Sequence, residues 1–249
     1  MNLLVLGATG GTGRALVEQA LKQGHSVTAF ARDPAKIRIT HENLRIAKGD
    51  VLNYDSVEAA TKGQDVVLSA LGIRVNWGVI VLIALLCQLV PRVMVLSRLA
   101  WLVQVGVPFI AILIASRTKP VLSEGTKNII QAMEKVGVKR FICESSLGIG
   151  DSKGELGFFY NYVVIPLLLR NIFADKAVQE RIIQASKLDW VIVRPALLTN
   201  GPRTGVYRNG PSAVEKSSRR KISRSDVADF MLQQVSVDTY LFKTPALSY

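Results

Sequence analysis

Acidic residues are scarce in this chain, and none occurs between Asp65 and Glu124. Nineteen acids stand against 31 lysines and arginines, for a formal net charge of +12. That balance favours anionic partners (phosphates, nucleic acid or an anionic membrane surface) without choosing among them. Cysteine is also rare. Cys87 and Cys143 have neither metal-ligand spacing nor the pattern of a disulfide scaffold, so two reduced, buried thiols are expected. The two histidines, His25 in a turn and His41 in a polar loop, offer no catalytic triad, and no metal-ligand cluster is expected. No basic leader precedes the first apolar run, so no signal peptide is expected and the cytoplasm is the expected compartment. There is no repeat and no low-complexity tract. A chain of 249 residues suits one α/β domain with a sizeable core.

The most informative stretch is NLLVLGATGGTGRALVEQALKQGHSVTAFAR, starting at Asn2. Residues 2 to 6 read as a buried strand, the spacing from Arg14 to Lys22 is helical, Gly24 ends that helix, and SVTAF is a second strand. Gly7 permits the tight turn, Gly10 lets the backbone approach a pyrophosphate, and Gly13 lets helix and strand pack closely. With Thr9, Gly11 and Thr12 they make a phosphate cradle at a helix N-terminus, where free amides and the dipole attract anions. The second strand ends in Arg32 rather than an acid. An arginine there suits a 2′-phosphate, with Lys36 as a second charge, so NADP(H) is expected over NAD(H). Asp33 competes for the sugar, and a solvated basic loop is the alternative.

GATGGTGR, ARDPAKI and GDVLNYDSV together resemble the atypical short-chain dehydrogenase/reductases with NAD(P)H-binding, NmrA-like domains, nearest to the biliverdin reductase B and flavin reductase group. The resemblance covers about residues 1 to 74 and 118 to 249. It implies that Asp50 and Val51 touch the adenine, and that Ala70, Leu71 and Gly72 pass near the ribose and nicotinamide. It resumes at VLSEGTKNIIQAMEKVGVKRFICESSLG, where a helix over 122–135 leads to a strand over 140–143 with Ser145 and Ser146 at its carboxyl end. Strand six closes on Pro195, a further expected cofactor contact.

Ordinary members of that superfamily place a Tyr four residues before a Lys, the Tyr acting as acid. Here Tyr160 and Tyr162 are followed four places on by Val164 and Pro166. Lys176 falls where the resemblance places the family's lysine, yet Ile172 stands four residues before it. Ser145, Ser146 and Lys176 therefore remain as candidate catalytic groups without the usual proton donor. The bland alternatives are a strand-end cap for Ser146, a solvated helix-start position for Lys176, and aromatic packing for both tyrosines. EKSSRRKISRSD reads as a basic loop. It lacks the aromatic interleaving of a nucleic-acid site, so a solvated face and no nucleic-acid partner are expected.

The resemblance leaves one gap, from about Ile73 to Arg117. Its only charges are Arg74, Arg92, Arg98 and Arg117, and its apolar runs at 75–91 and 99–116 each carry a proline. The second run would measure roughly 26 Å as a helix, at the lower limit for spanning a bilayer. The chain must enter and leave on the side of its sheet, which would put the turn near Arg98 on the far side, against the bias of arginines. A re-entrant or interfacial hairpin fits better, with the arginines at anionic headgroups of a cytoplasmic membrane face. A lid or homodimer surface and plain extra core are the alternatives.

The expectation is thus a single Rossmann-like α/β domain with a mainly parallel doubly wound sheet and an apolar helical insertion after strand four. Its expected activity is NADPH-dependent hydride transfer to a flavin-like, quinone-like or other conjugated, apolar small-molecule acceptor. The alternative is a cofactor-binding sensor or assembly factor with little turnover.

Overall fold

Leu3, Leu4, Val5 and Leu6 are wholly buried, as consecutive residues must be in a strand covered on both faces. In the computed structural model, which describes residues 1–73, 120–155, 160–215 and 218–249, they form β1 (Asn2–Leu6) at the centre of an eight-stranded sheet. The chain continues through α1 (Gly11–Lys22), β2 (Ser26–Ala31), β3 (Leu44–Lys48), α2 (Tyr54–Thr61) and β4 (Val66–Ser69). After the insertion come α3 (Val121–Val136), β5 (Arg140–Glu144), α4 (Arg170–Gln184) and β6 (Asp189–Pro195). The remainder is β7 (Leu197–Thr199), β8 (Arg208–Asn209), β9 (Lys221–Ser223), α5 (Arg224–Gln233) and β10 (Ala246–Ser248).

The strand order is β3-β2-β1-β4-β5-β6-β10-β8. Every neighbouring pair is parallel except β10 with β8. The winding reverses between β1 and β4, and in open parallel sheets the crevice at the carboxyl ends of such strands is where ligands bind. This is the doubly wound, Rossmann-type sheet expected from the sequence. α1 and α5 cover one face, packing Leu16, Val17, Val227 and Met231 onto Leu3, Val5 and Val193. α2, α3 and α4 cover the other, where Val57, Ile129, Met133 and Ile183 meet Leu4, Leu6, Phe141 and Ile192.

α3 has no side-chain cap of its own at Pro120. Buried Asp175, in α4, supplies one: its carboxylate accepts from Leu122 N at 2.9 Å and Ser123 N at 3.0 Å. A carboxylate on first-turn amides suits the helix dipole. The cap also fixes α4 against α3, and so sets the direction of the next residue, Lys176. That lysine lies in the interior of α4 rather than at a helix start.

The basic stretch at 215–226 departs from the expected solvated loop. Its second half forms β9, which pairs with β7, and then the first turn of α5. Ile222, Ser223 and Asp226 are fully buried, and Ser223 caps α5 by accepting from Asp226 N at 3.0 Å. Among the described residues no helix is long and apolar enough to cross a membrane. The expected hairpin at 73–117, apart from Ile73, lies outside the described residues, as does Cys87.

The close packing expected of Gly13 is tight. A Cβ there would lie 2.1 Å from the carbonyl oxygen of Gly7, a backbone atom with nowhere to go. Gly13→Ala is expected to cost about 1–3 kcal/mol, lowering the melting temperature by several degrees in calorimetry. An unchanged melting temperature would mean that the turn is looser than this geometry.

Candidate active site

The glycine-rich turn lies against the end of β4. Gly7 has φ +78°, and a Cβ there would sit 2.4 Å from the Ala70 carbonyl oxygen, so only glycine fits. Gly10 N donates to Gly7 O at 2.9 Å and closes the turn. Gly10 is also the N-cap of α1, which has no side-chain cap and no acid in its first turn. Free amides, a positive dipole end and a bare backbone make a cradle that fits a pyrophosphate. Ala70 N, at the end of β4, donates to Leu6 O at 2.9 Å. That carries the parallel ladder into Ala70-Leu71-Gly72, so those three residues leave the sheet beside the turn.

Thr12, in the first turn of α1, donates its hydroxyl to Glu144 Oε1 at 3.1 Å. Glu144 ends β5 and is buried. Burial pushes its carboxyl above the ordinary range, while the Lys176 ammonium and the Thr12 hydroxyl pull it back. Lys176, partly buried, donates from Nζ to the Ser145 carbonyl at 2.8 Å. Burial lowers the lysine below its usual value, and the Glu144 carboxylate is the largest influence holding it up. The start of α1, the end of β5 and α4 thus come together around a buried acid, Glu144, and a partly buried base, Lys176.

The two serines separate. Ser145 Oγ is buried and donates to Glu180 Oε1 at 2.5 Å. Glu180 in turn forms a fork with buried Arg194, at 3.1 Å to Nε and 2.7 Å to Nη2, and Arg194 also pairs with Asp151. The Ser145 hydroxyl is therefore committed to that network, and its carbonyl serves Lys176. Ser146 is partly exposed, with only a local donation to Leu147 O at 3.2 Å, and its hydroxyl is the freer of the two. Pro195, also buried, accepts from Leu147 N at 2.9 Å and ties this loop to β6.

At the outer strands, Arg32 is exposed at the end of β2 and forms no ion pair among the described residues. Lys36 is instead paired with Asp33 at 3.1 Å, a contact that holds Asp33 below the usual carboxylate range. Asp50 accepts from Leu52 N at 3.0 Å in a tight turn, and Val51 is buried against α3, where a Cβ on Gly125 would lie 2.9 Å from its Cγ2. Tyr162 is 71% exposed and so is not the packing residue expected, while the Tyr160 side chain lies outside what is described. Glu144, Glu180 and Arg194 were not anticipated. Their signal was present: a charged residue closing FICE and another inside DWVIVRP each demand a buried partner.

The NAD(P)H-binding family matches residues 7–238. The chain belongs to this family. Its members of the NmrA-like, atypical short-chain type share this fold, and the match makes a nicotinamide dinucleotide the expected ligand of the glycine turn. An uncharacterised chloroplastic protein of Arabidopsis thaliana is 27% identical over 94% of this chain and 73% of its own length. The photosystem II assembly factor Ycf39 of Synechocystis is 23% identical over 98% of this chain, which spans 61% of that factor. Among solved structures, the anaerobilin reductase ChuY of Escherichia coli shares the fold with a TM-score of 0.68 at 20% identity, covering 99% of this chain and 96% of that one.

Glu144→Gln keeps an acceptor for Thr12 but removes the charge beside Lys176. The Lys176 ammonium is then expected to lose its proton at lower pH than in the parent, read from its 13Cε shift by NMR. An unchanged titration would show that the two groups are not electrostatically coupled.

Proposed function

We propose that this chain is an NADPH-dependent reductase of a conjugated, apolar small molecule of flavin, quinone or similar type. The observation that carries the reading is that Thr12, in the first turn of α1, donates to buried Glu144, whose charge acts on the partly buried Lys176 ammonium at the Ser145 carbonyl. A bound nicotinamide supplies the hydride. The protein's own part is to bind, orient and shield. Lys176 Nζ presents positive charge in a poorly hydrated place, where it favours negative charge developing on an acceptor. Its lowered affinity for its proton also lets it give that proton up more easily than an exposed lysine. Ser146 Oγ is free to hydrogen-bond the acceptor or the carboxamide. An acceptor whose reduced form is already a stabilised, delocalised anion needs no stronger protein acid, which suits a chain without the Tyr-Lys pair.

The preference for NADPH over NADH rests on Arg32, since Lys36 is already neutralised by Asp33. The preference for an apolar acceptor rests on the apolar runs at 75–91 and 99–116, flanked by Arg74, Arg92, Arg98 and Arg117, in the insertion that follows Ala70-Leu71-Gly72. The same runs support docking on an anionic membrane face. A second reading, a cofactor-binding assembly factor with little turnover, draws on the missing tyrosine and on the likeness to Ycf39 across nearly the whole chain.

Detergent-purified protein should consume NADPH in the presence of at least one flavin, short-chain quinone or bilin. Lys176→Ala should lower that turnover by about 100-fold or more while NADPH still quenches tryptophan fluorescence. No turnover on any class, with binding intact, would transfer the weight to the assembly-factor reading. Arg32→Ala should weaken NADPH binding by about tenfold and leave NADH binding unchanged. Equal affinity of the variant and the parent for NADPH would remove the 2′-phosphate assignment.

A further inference from the structure

The glycine fingerprint explains Gly7, Gly10 and Gly13, but not Gly11. In the structure Gly11 has a different neighbour. A Cβ on it would lie 2.4 Å from Cδ and 3.0 Å from Nε of Arg224. Arg224 is the first residue of α5, in the stretch whose charge composition suggested only a solvated face. The packing of α5 on α1 brings this side chain across the sheet face to lie over the second glycine of the Gly10-Gly11 pair.

The guanidinium is held there. Its Nη1 donates to Asn200 Oδ1 at 2.6 Å. It forms no ion pair with a carboxylate among the described residues. An arginine has five N–H donors in a rigid fork, and one anchored donor leaves most of the fork free. Gly11 is exposed and Arg224 only partly buried, so the fork borders open space at the start of α1. The charge also helps to hold down the Glu144 carboxyl.

We infer that Arg224 is a pyrophosphate-binding residue, a cationic clamp from α5 that closes over the glycine turn, and that Gly11 is glycine to let the arginine lie there. This rests on the chain's membership of the NAD(P)H-binding family and not on hydride transfer. It makes a prediction that the 2′-phosphate assignment of Arg32 does not. The pyrophosphate is common to both dinucleotides, so Arg224 serves NADPH and NADH alike.

The test is calorimetric titration of the full chain with NADPH, NADH and adenosine. Arg224→Gln is expected to weaken both dinucleotides by the same factor, about 10- to 100-fold, and to leave adenosine unchanged. Arg224→Lys should recover part of the loss, because it restores the charge without the fork. Gly11→Ala keeps the charge but displaces the side chain. It should weaken both dinucleotides in the parent and add little in the Arg224→Gln background, since both changes remove one interaction. Melting temperatures within a few degrees of the parent confirm that each variant is folded. Binding of both dinucleotides within twofold of the parent in Arg224→Gln would overturn the inference. So would a loss confined to NADPH, which would make Arg224 a 2′-phosphate contact. Equal losses in a protein that turns over none of the acceptors would uphold the clamp and sink only the reductase reading.

Discussion

A carboxylate taken out of water must find a donor and a counter-charge, and the two that Glu144 finds come from opposite faces of the sheet. Thr12 is on α1, on one face, and Lys176 is on α4, on the other. Isolated burial of either charge would cost several kcal/mol. The geometry of the site follows from this constraint. The Thr12 hydroxyl ties the start of α1 to Glu144, and the Glu144 charge favours the protonated form of Lys176. The Asp175 cap on α3 and the Glu180–Arg194 fork hold α4 and the end of β6 in the register that brings Lys176 to the Ser145 carbonyl.

The parts of the site that were legible in the sequence are those whose physics is local. Gly7, Gly10 and Gly13 announce a turn because their conformational and steric demands arise within a few residues of one another. β1 and β4 announce themselves as short apolar runs, LLVL and VVL, because strands buried on both faces have no alternation to show. The helix over 121–136 ends at Gly137, with φ +83°, where the sequence marks it.

What was not legible depends on partners far apart in the chain. Thr12 and Glu144 are 132 residues apart, and nothing in either neighbourhood names the other. EKSSRRKISRSD reads as a basic face because its charge dominates a local count. In the fold Ile222 and Asp226 point inward, and Arg224 crosses to another helix. Tyr162 illustrates the reverse error: an aromatic in an apolar run suggests packing, yet this one is largely exposed. The distinction between Ser145 and Ser146 was equally hidden, because it depends on Glu180 being within reach of only one of them.

The central claim is that one site at the carboxyl edge of the sheet gathers the glycine turn, the ends of β4 and β5, and α5. Amide hydrogen exchange with and without saturating NADPH tests it most directly. Protection is predicted at residues 7–13, 70–72 and 145–147 and in the first turn of α5, with Asp50 and Val51 joining them. The cleft at the opposite edge, lined by Asn2, Thr28, Asn43, Arg45 and Gln64, should be unaffected. Protection centred on that cleft, or none at the glycine turn, would contradict the account.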